Sequence, residues 1–409
     1  MNTFSKRKAA VARDVGVALY GTLLIAATYG MARFGVGLFS PRIGREHPEL
    51  AGVLGYAAAA QFIAYSVAAT VAARVSDRRP RVGLMLAGAT ATIGCLGVAV
   101  AATPGVFVAS VFVGGLGAGF ASPAMVRVID SVTRDASSAT VQSMVNSGTA
   151  VGVVGAGSLA VATSSLAPVW VFMAAICLMS MIGVLHVADG RNDTRTPPCC
   201  EGPATGVAVT SSRTLLLPAV AAVVVGAGSA LVWTFGPTLL TEYGTVTEQQ
   251  TGLLWVALGL GGLVGPWTGV VFRKVGSRGG WRLFAAATAV ASALLGVAIS
   301  EDSNVLAFGA MVVFGVGYMG LTGTLILVAR VARPDAAGVG TAVLFVALAV
   351  GQAFGSFAFG LAVPSTGPVL TAAVAMGLCA LGAALASKPA PKPTEGPLRS
   401  DRSTDGALQ

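Results

Sequence analysis

The sequence predicts an all-α integral membrane protein, with twelve transmembrane helices arranged as two pseudo-symmetric six-helix bundles. This prediction is based on the apolar composition, the length and number of the apolar segments, and an internal repeat. Of the 409 residues, 55% are hydrophobic and only 11% are charged, whereas a soluble domain has about 25% charged residues. The composition therefore excludes an ordinary soluble protein.

Most of the apolar segments have about 20 residues or more, which is enough to cross a bilayer core of roughly 30 Å. Each segment must satisfy its own backbone in lipid, so each is expected to be a helix. The 54 glycines are compatible with this, because small residues let membrane helices approach closely. The predicted segments are 15–39, 50–73, 82–102, 106–128, 138–160, 166–188, 215–240, 249–272, 281–299, 305–329, 338–362 and 368–387.

The distribution of Lys and Arg predicts the orientation. If both termini are cytoplasmic, the inner connections and adjoining helix ends contain 23 of the 26 Lys and Arg residues. The exceptions are Arg33, inside the first segment, and Arg42 and Arg45, which we assign to the first outer loop. This positive-inside bias predicts a multi-pass plasma-membrane protein with cytoplasmic N- and C-termini.

The polar connections define the predicted domains. The loop 189–214 contains Pro197 and Pro198 and is typical of a flexible linker, and the C-terminal tail is rich in Pro, Ser and charge, as disordered segments are. The predicted organisation is a cytoplasmic segment 1–14, an N-terminal bundle 15–188, a cytoplasmic linker 189–214, a C-terminal bundle 215–387 and a disordered cytoplasmic tail 388–409.

Charge and cysteine usage exclude several partners. The net charge of +9 is spread over many short loops, so no nucleic-acid partner is expected. The five cysteines have neither metal-ligand spacing nor a disulfide framework. We therefore expect no metal and no cofactor.

An internal repeat relates the two halves. At an offset of about 196 residues, Phe39-Ser40-Pro41 falls on Phe235-Gly236-Pro237, and residues 73–80 fall on residues 269–276. Near an offset of 200, Gly115-Leu-Gly117 falls on Gly315-Val-Gly317. The matched segments occur in the same order in both halves of the chain. This predicts a duplicated six-helix unit whose copies are related by an axis along the membrane normal.

Residues 73–81, Ala-Arg-Val-Ser-Asp-Arg-Arg-Pro-Arg, resemble the G-x3-D-R-x-G-R motif in loop 2–3 of the major facilitator superfamily. The resemblance covers essentially residues 10–387 and implies that superfamily's fold. It also implies that Asp77, Arg78 and Arg81 act as a conformational latch; simple topological charge is the alternative. The Ala-Arg-Phe pattern ahead of Pro41 is similar to a bacterial branch of permeases, which implies a bacterial inner membrane.

Two patterns of the superfamily's drug/proton antiporters are degraded. Gly115 and Gly117 of an R-x3-G-x-G motif remain, but Val111 stands where that motif has Arg. Gly152 is followed by Val153 instead of the Pro of G-x3-G-P. Both losses weaken the interpretation as a drug exporter without excluding it.

Arg33 is the leading candidate for substrate binding. It is charged yet lies well inside an apolar segment, where insertion costs roughly 2.5 kcal/mol or more. Its guanidinium either binds an anionic substrate by forked hydrogen bonds or gates near it. The alternative is that it snorkels outward toward Glu46 or Glu49 or has a structural role. Tyr29 lies four residues earlier on the same face.

Other polar and aromatic residues at membrane depth complete the predicted site. On the fifth helix, Gln142 and Asn146 lie opposite Gly148 and Gly152, so they either line a cavity or make an interhelical hydrogen bond. The resemblance implies that the first and seventh helices line the central cavity, and for each aromatic residue packing is the alternative. The remaining predicted substrate-binding residues are Gln61, Trp233, Thr234, Tyr318 and Gln352.

The expected function is secondary active transport of a small organic anion across the inner membrane by alternating access. All 17 acids fall in loops, tails or helix ends, so coupling uses Asp130, a proton carried with the substrate, or nothing. The alternatives are a multidrug or secondary-metabolite exporter working as a proton antiporter, and a receptor that no longer transports. The chain has no P-loop or nucleophile constellation, so we expect no enzyme. The expected partners are a small molecule, the bilayer and protons, and the chain is expected to be a monomer.

Overall fold

The computed structural model describes residues 3–133, 135–188, 213–263, 267–333 and 337–385. A π-helical stretch, Ala26–Arg33, joins the first two α-helices, and a 3-10 turn, Glu248–Gln250, precedes α10. The α-helices are α1 (Thr3–Ile25), α2 (Gly35–Glu46), α3 (Pro48–Ala51), α4 (Leu54–Arg78), α5 (Pro80–Ala99), α6 (Pro104–Val132), α7 (Asp135–Ala162), α8 (Leu166–Ala188), α9 (Arg213–Glu242), α10 (Thr251–Gly262), α11 (Thr268–Ser300), α12 (Asn304–Ala332), α13 (Ala337–Thr366) and α14 (Pro368–Leu385).

The predicted membrane fold is confirmed. Within the described ranges, 11 helices are long and apolar enough to cross a membrane. The one predicted segment that is not among these 11 helices is the eighth, 249–272. It includes α10 and the start of α11, and residues 264–266 between them lie outside the described residues. Helix α11 is interrupted at Gly276, where φ is 73°, a conformation that favours glycine. The part of α11 after Gly276 is the ninth predicted segment.

The first segment extends further than predicted, because Pro41 does not end its helix. Residues Arg13–Glu46 form one rod of 34 residues, with Pro41 inside α2. Proline has no N–H to donate to the carbonyl of Gly37, and the Ser40 hydroxyl donates to that carbonyl instead, at 2.8 Å. The predicted end at residue 39 is therefore wrong. Arg42 and Arg45 lie on this rod and not in a loop.

The loops predicted at 74–81 and 273–280 are mainly helical. Helix α4 continues to Arg78, Arg79 alone connects the two helices, and α5 begins at Pro80. Proline suits the first turn of a helix, where its missing N–H would have no partner. Gly276, which the repeat aligns with Pro80, marks the corresponding break in the second half.

The two halves use matching glycines for matching contacts. Gly115 lies against the backbone of Gln61 on α4, and Gly315 lies against the backbone of Leu258 on α10. Two residues further on, Gly117 packs on α5 and Gly317 packs on α11. The same positions thus hold the second and third helices of each bundle, as a duplicated unit requires.

The two bundles meet at the end of the molecule opposite the chain termini, which we call the far end; the opposite end is called the termini end. Ser40 and Thr238 are joined by a 2.5 Å hydrogen bond between α2 and α9. Gly55 on α4 lies against Ser356 on α13, and Gly157 on α7 lies against Gly252 on α10. Each of these close contacts joins the first bundle to the second.

Candidate substrate site between the two bundles

Arg33 lies at the contact between the bundles, near the middle of the rod Arg13–Glu46. Its side chain is only 5% exposed. One terminal nitrogen, Nη2, donates to the Gln352 Oε1 on α13, at 3.3 Å. The guanidinium therefore points across the interface into the second bundle.

Four aromatic rings surround this guanidinium. Its central carbon lies 4.0 Å from the centroid of the Tyr65 ring, 5.2 Å from those of Phe34 and Phe62, and 5.5 Å from that of Tyr29. Cation–π attraction is worth about 2 kcal/mol when the cation is desolvated. These rings stabilise the charge only in part.

No carboxylate of the described residues lies within ion-pair distance of Arg33. Its Nε is buried and has no hydrogen-bond partner in that part of the chain. Glu46 pairs with Arg45 and accepts from the Leu166 amide instead. The snorkelling alternative is therefore wrong for this conformation, because the side chain reaches neither the rim nor the predicted acids.

Gln352 connects Arg33 to Tyr318. While its oxygen accepts from Arg33, its nitrogen donates to the Tyr318 hydroxyl at 3.0 Å. Both residues are fully or almost fully buried. The structure thus brings three of the predicted residues into one polar chain that crosses the interface.

Trp233 completes the cluster from the second bundle. Its ring stacks on that of Phe34, with centroids 3.8 Å apart and planes inclined by 13°. It also meets Tyr318 edge to face at 5.1 Å. Its indole N–H is buried without an acceptor among the described residues.

Three other predicted residues are held by local hydrogen bonds. Tyr29 donates to the Tyr65 hydroxyl at 3.4 Å, beneath the guanidinium. Gln61 donates to the Ala32 carbonyl at 3.2 Å, close to the end of the π-helical stretch. Thr234 shares a 2.9 Å hydrogen bond with Ser356. These contacts position the first and seventh predicted helices around Arg33.

Gln142 and Asn146 lie apart from this cluster. Gln142 donates to the Asn146 side chain at 2.9 Å, and Asn146 is exposed. At 3.6 residues per turn, both lie within about 20° of the buried Val153 and more than about 100° from the exposed Met144 and Val151. Their exposed face is therefore on the same side of α7 as Gly157, which contacts Gly252 of the second bundle.

The opposite face of α7 packs as predicted from its glycines. Gly148 and Gly152 lie against the backbone of Thr22 and Ala26 on the first rod. A side chain on Gly152 would overlap the Ala26 carbonyl. The small-residue face is therefore a helix contact, as expected.

Arg42 closes the far end. It is as buried as Arg33, but it donates to the carbonyls of Thr163 at 2.7 Å and Ala160 at 3.0 Å. Its Nε also lies 3.4 Å from Glu248 of the second bundle. Arg45 reaches the same carboxylate at 2.8 Å.

The predicted latch is described only at Arg81. Its Nη2 donates to the Ala188 carbonyl at 3.3 Å, a contact within the first bundle. Asp77 and Arg78 belong to α4, and their side chains lie outside the described residues.

Sequence reasoning missed Phe34, Phe62 and Tyr65 around Arg33, and Glu248 at the far end. Tyr65 follows Gln61 by four residues, the spacing that places two side chains on one helix face. That spacing was a usable signal. Phe34 directly follows Arg33, and nothing in the sequence indicates that it stacks on a ring from the other half.

The comparisons agree with this architecture. A family model described as the Major Facilitator Superfamily matches residues 22–356. No curated protein matches the chain. A solved structure of a D-xylose-proton symporter is similar with a TM-score of 0.73 at 16% identity, over 92% of this chain and 97% of the symporter.

Two further structures show the same fold. A mutant of the nucleoside transporter NupG has a TM-score of 0.71 at 12% identity, covering 90% of this chain and 98% of its own. The xylose transporter XylE from E. coli, in a partially occluded inward open conformation, has a TM-score of 0.70 at 14% identity, covering 91% and 98%. The fold is that of a multi-pass membrane transporter, and the chain belongs to the Major Facilitator Superfamily.

Proposed function

We propose that this chain is a secondary transporter of the bacterial inner membrane, with both termini in the cytoplasm, that moves a small organic anion. The observation that carries the proposal is Arg33: a buried guanidinium between the bundles, with an unpartnered Nε and no described carboxylate beside it. A protein retains a charge at membrane depth mainly for function. An anion entering this site would neutralise the charge.

Guanidinium chemistry favours a carboxylate or a phosphate. Both groups offer two oxygens to adjacent N–H donors, and such charge-assisted bonds are about twice as strong as neutral ones. Arg33 now gives one 3.3 Å bond to an amide oxygen. A ligand oxygen is a stronger acceptor, so binding would replace or reinforce that bond.

The proposed cycle rocks the two bundles around this site. The far end is held by Arg42 and Glu248, and we assign the open end to the termini side, where Asn146 is exposed. Opening the far end requires these contacts to separate and the termini end to close. We assign latch roles in that closure to Asp77, Arg78 and Arg81.

The first experiment measures binding to the purified protein by thermal shift and titration. Carboxylates and phosphates of varied size are compared with neutral isosteres of the same shape. We expect anions alone to raise the melting temperature of the wild type. Arg33→Ala should lower their affinity by about 30-fold or more, because a buried ion pair loses one partner. Arg33→Lys should also bind weakly, because it lacks the fork.

Arg45→Ala is the matched control, because Arg45 is half exposed and lies at the far end. It should leave anion affinity unchanged. Equal anion binding by wild type and both Arg33 variants would refute the proposal. Binding of lipophilic compounds that ignores Arg33 would favour the exporter instead.

Uptake into sealed vesicles then tests transport and coupling. Uptake of the best-binding anion is measured with a pH gradient of either polarity and with none. Accumulation driven by the gradient indicates proton coupling, and equilibration alone indicates a facilitator. Binding without any flux would identify a receptor.

A further inference from the structure

The stacked pair of Phe34 and Trp233 joins the bundles directly beside Arg33. Phe34 belongs to the first bundle and Trp233 to the second, and their rings lie flat on one another at 3.8 Å. The Phe34 ring centroid is 5.2 Å from the guanidinium carbon. A flat aromatic contact therefore crosses the interface at the depth of the buried charge.

This contact must break during the proposed transport cycle. Nearby, Ser40 bonds to Thr238 and Gly37 meets the Trp233 carbonyl, so far-end opening draws Phe34 away from Trp233. Separation leaves two flat aromatic faces opposite each other. Stacked rings favour a flat apolar partner over water.

The polar groups beside these faces suit a single negative charge. Arg33 supplies one positive charge, and no second cation of the described residues is within reach of its aromatic shell. Two buried donors, the Arg33 Nε and the Trp233 indole N–H, have no acceptor in that part of the chain. The guanidinium, with its free Nε, can donate to the two oxygens of one carboxylate.

We propose that the transported anion is a planar monoanion, with an aromatic carboxylate as the simplest case. Its ring inserts between Phe34 and Trp233, and its carboxylate binds Arg33. This inference rests on the proposed function, which it narrows from organic anions in general to flat ones with a single charge.

The test compares four probes on the purified full chain by titration calorimetry. Benzoate is planar and singly charged, cyclohexanecarboxylate has the same charge on a puckered ring, benzamide is planar and neutral, and phthalate has two charges on a planar ring. We expect benzoate to bind at least about fivefold more tightly than cyclohexanecarboxylate, with phthalate and benzamide weaker still.

Three variants test whether the ring of bound benzoate lies between Phe34 and Trp233. Phe34→Leu and Trp233→Leu should reduce the preference for benzoate over cyclohexanecarboxylate to near unity, while Trp233→Phe should retain most of it. Phe314→Leu is the control, because Phe314 meets Trp233 edge to face at 5.3 Å and lies outside the stack. Since each result is a ratio of two affinities in one protein, partial unfolding of a variant does not imitate it.

The outcomes separate the two levels of the proposal. A benzoate preference that depends on Phe34 and Trp233 supports the planar monoanion. If both monoanions bind equally and require Arg33, the planar inference fails and the anion transporter stands. Tighter binding of phthalate than of benzoate would overturn the inference that the transported anion has a single charge. Benzamide binding as tightly as benzoate, with Arg33→Ala unaffected, would overturn both levels.

Discussion

Arg33 and Arg42 lie nine residues apart on one helical rod and are equally buried, but their surroundings differ completely. Arg42 is neutralised by Glu248 and donates to the Ala160 carbonyl of α7 and to the Thr163 carbonyl just after α7. Arg33 has one amide partner, four aromatic rings and an unpartnered Nε. The comparison shows that burial alone does not indicate function. A buried charge satisfied by its own protein holds the fold, and one left partly unsatisfied is available to a ligand.

The strongest test of this contrast removes the satisfied charge. Arg42→Met should lower the stability of the ligand-free protein by about 2–4 kcal/mol, because it leaves the Ala160 and Thr163 carbonyls without their donor, whereas Glu248 still pairs with Arg45. The melting temperature in detergent measures the loss. Arg45→Met is the control and should cost about 1 kcal/mol or less, because Arg45 is half exposed. Equal losses in both variants would contradict the assignment of Arg42.

A backbone test of the same closure uses two glycines of α2. A side chain on Gly37 would overlap the Trp233 carbonyl, whereas one on Gly44 would have its nearest neighbour, Ala51, at 3.9 Å. Gly37→Ala should therefore hold the far end open, and Gly44→Ala should not. Labelling of a cysteine at Thr238 by an impermeant maleimide, in a background without native cysteines, measures the opening. Protection of that cysteine in Gly37→Ala would argue against far-end closure at this contact.

Removing the unsatisfied charge of Arg33 should change the stability of the protein in the opposite direction. Arg33→Met should raise the stability of the ligand-free protein by about 1–4 kcal/mol, because an apolar side chain of similar length avoids the desolvation of an unpaired guanidinium. The same variant should lose anion binding. The melting temperature with and without benzoate measures both effects. A destabilised Arg33→Met protein would place Arg33 in the same class as Arg42.

The smallest expected effect concerns the open end. Cysteine at Asn146 should react with an impermeant reagent applied from the termini side, because Asn146 is exposed toward the space between the bundles. Cysteine at Val153, two turns deeper on the same face and fully buried, should stay protected. Stability should change by less than about 0.5 kcal/mol for the exposed position. Equal reactivity from the other side would contradict the orientation.

Hydropathy was sufficient to predict the membrane-spanning helices, because long apolar segments in a bilayer must satisfy their own backbone, and the internal repeat predicted their arrangement in two bundles. The end of the first helix was not predictable from Pro41, because the Ser40 hydroxyl replaces the missing donor for Gly37. The charge inside an apolar segment identified Arg33 as a candidate site residue. The sequence left open whether its side chain points toward a substrate or toward the membrane surface. Apart from Tyr29 and Phe34 of its own segment, the partners of Arg33 come from α4 and α13, so no local pattern could assemble them. The assumption that Pro41 ends the helix also placed Arg42 in a loop.

The π-helical stretch Ala26–Arg33 has a consequence for the whole rod. Its hydrogen bonds span five residues instead of four, so each turn holds more residues than the α-helices on either side. Faces counted along α1 are therefore out of phase with faces counted along α2. Arg33 ends the stretch, among the rings of Tyr29 and Tyr65. A single-residue deletion before Arg33 in this stretch would favour α-helical winding and change the register of α1 relative to Arg33 and Gly37, while the spacing between those two residues stays the same.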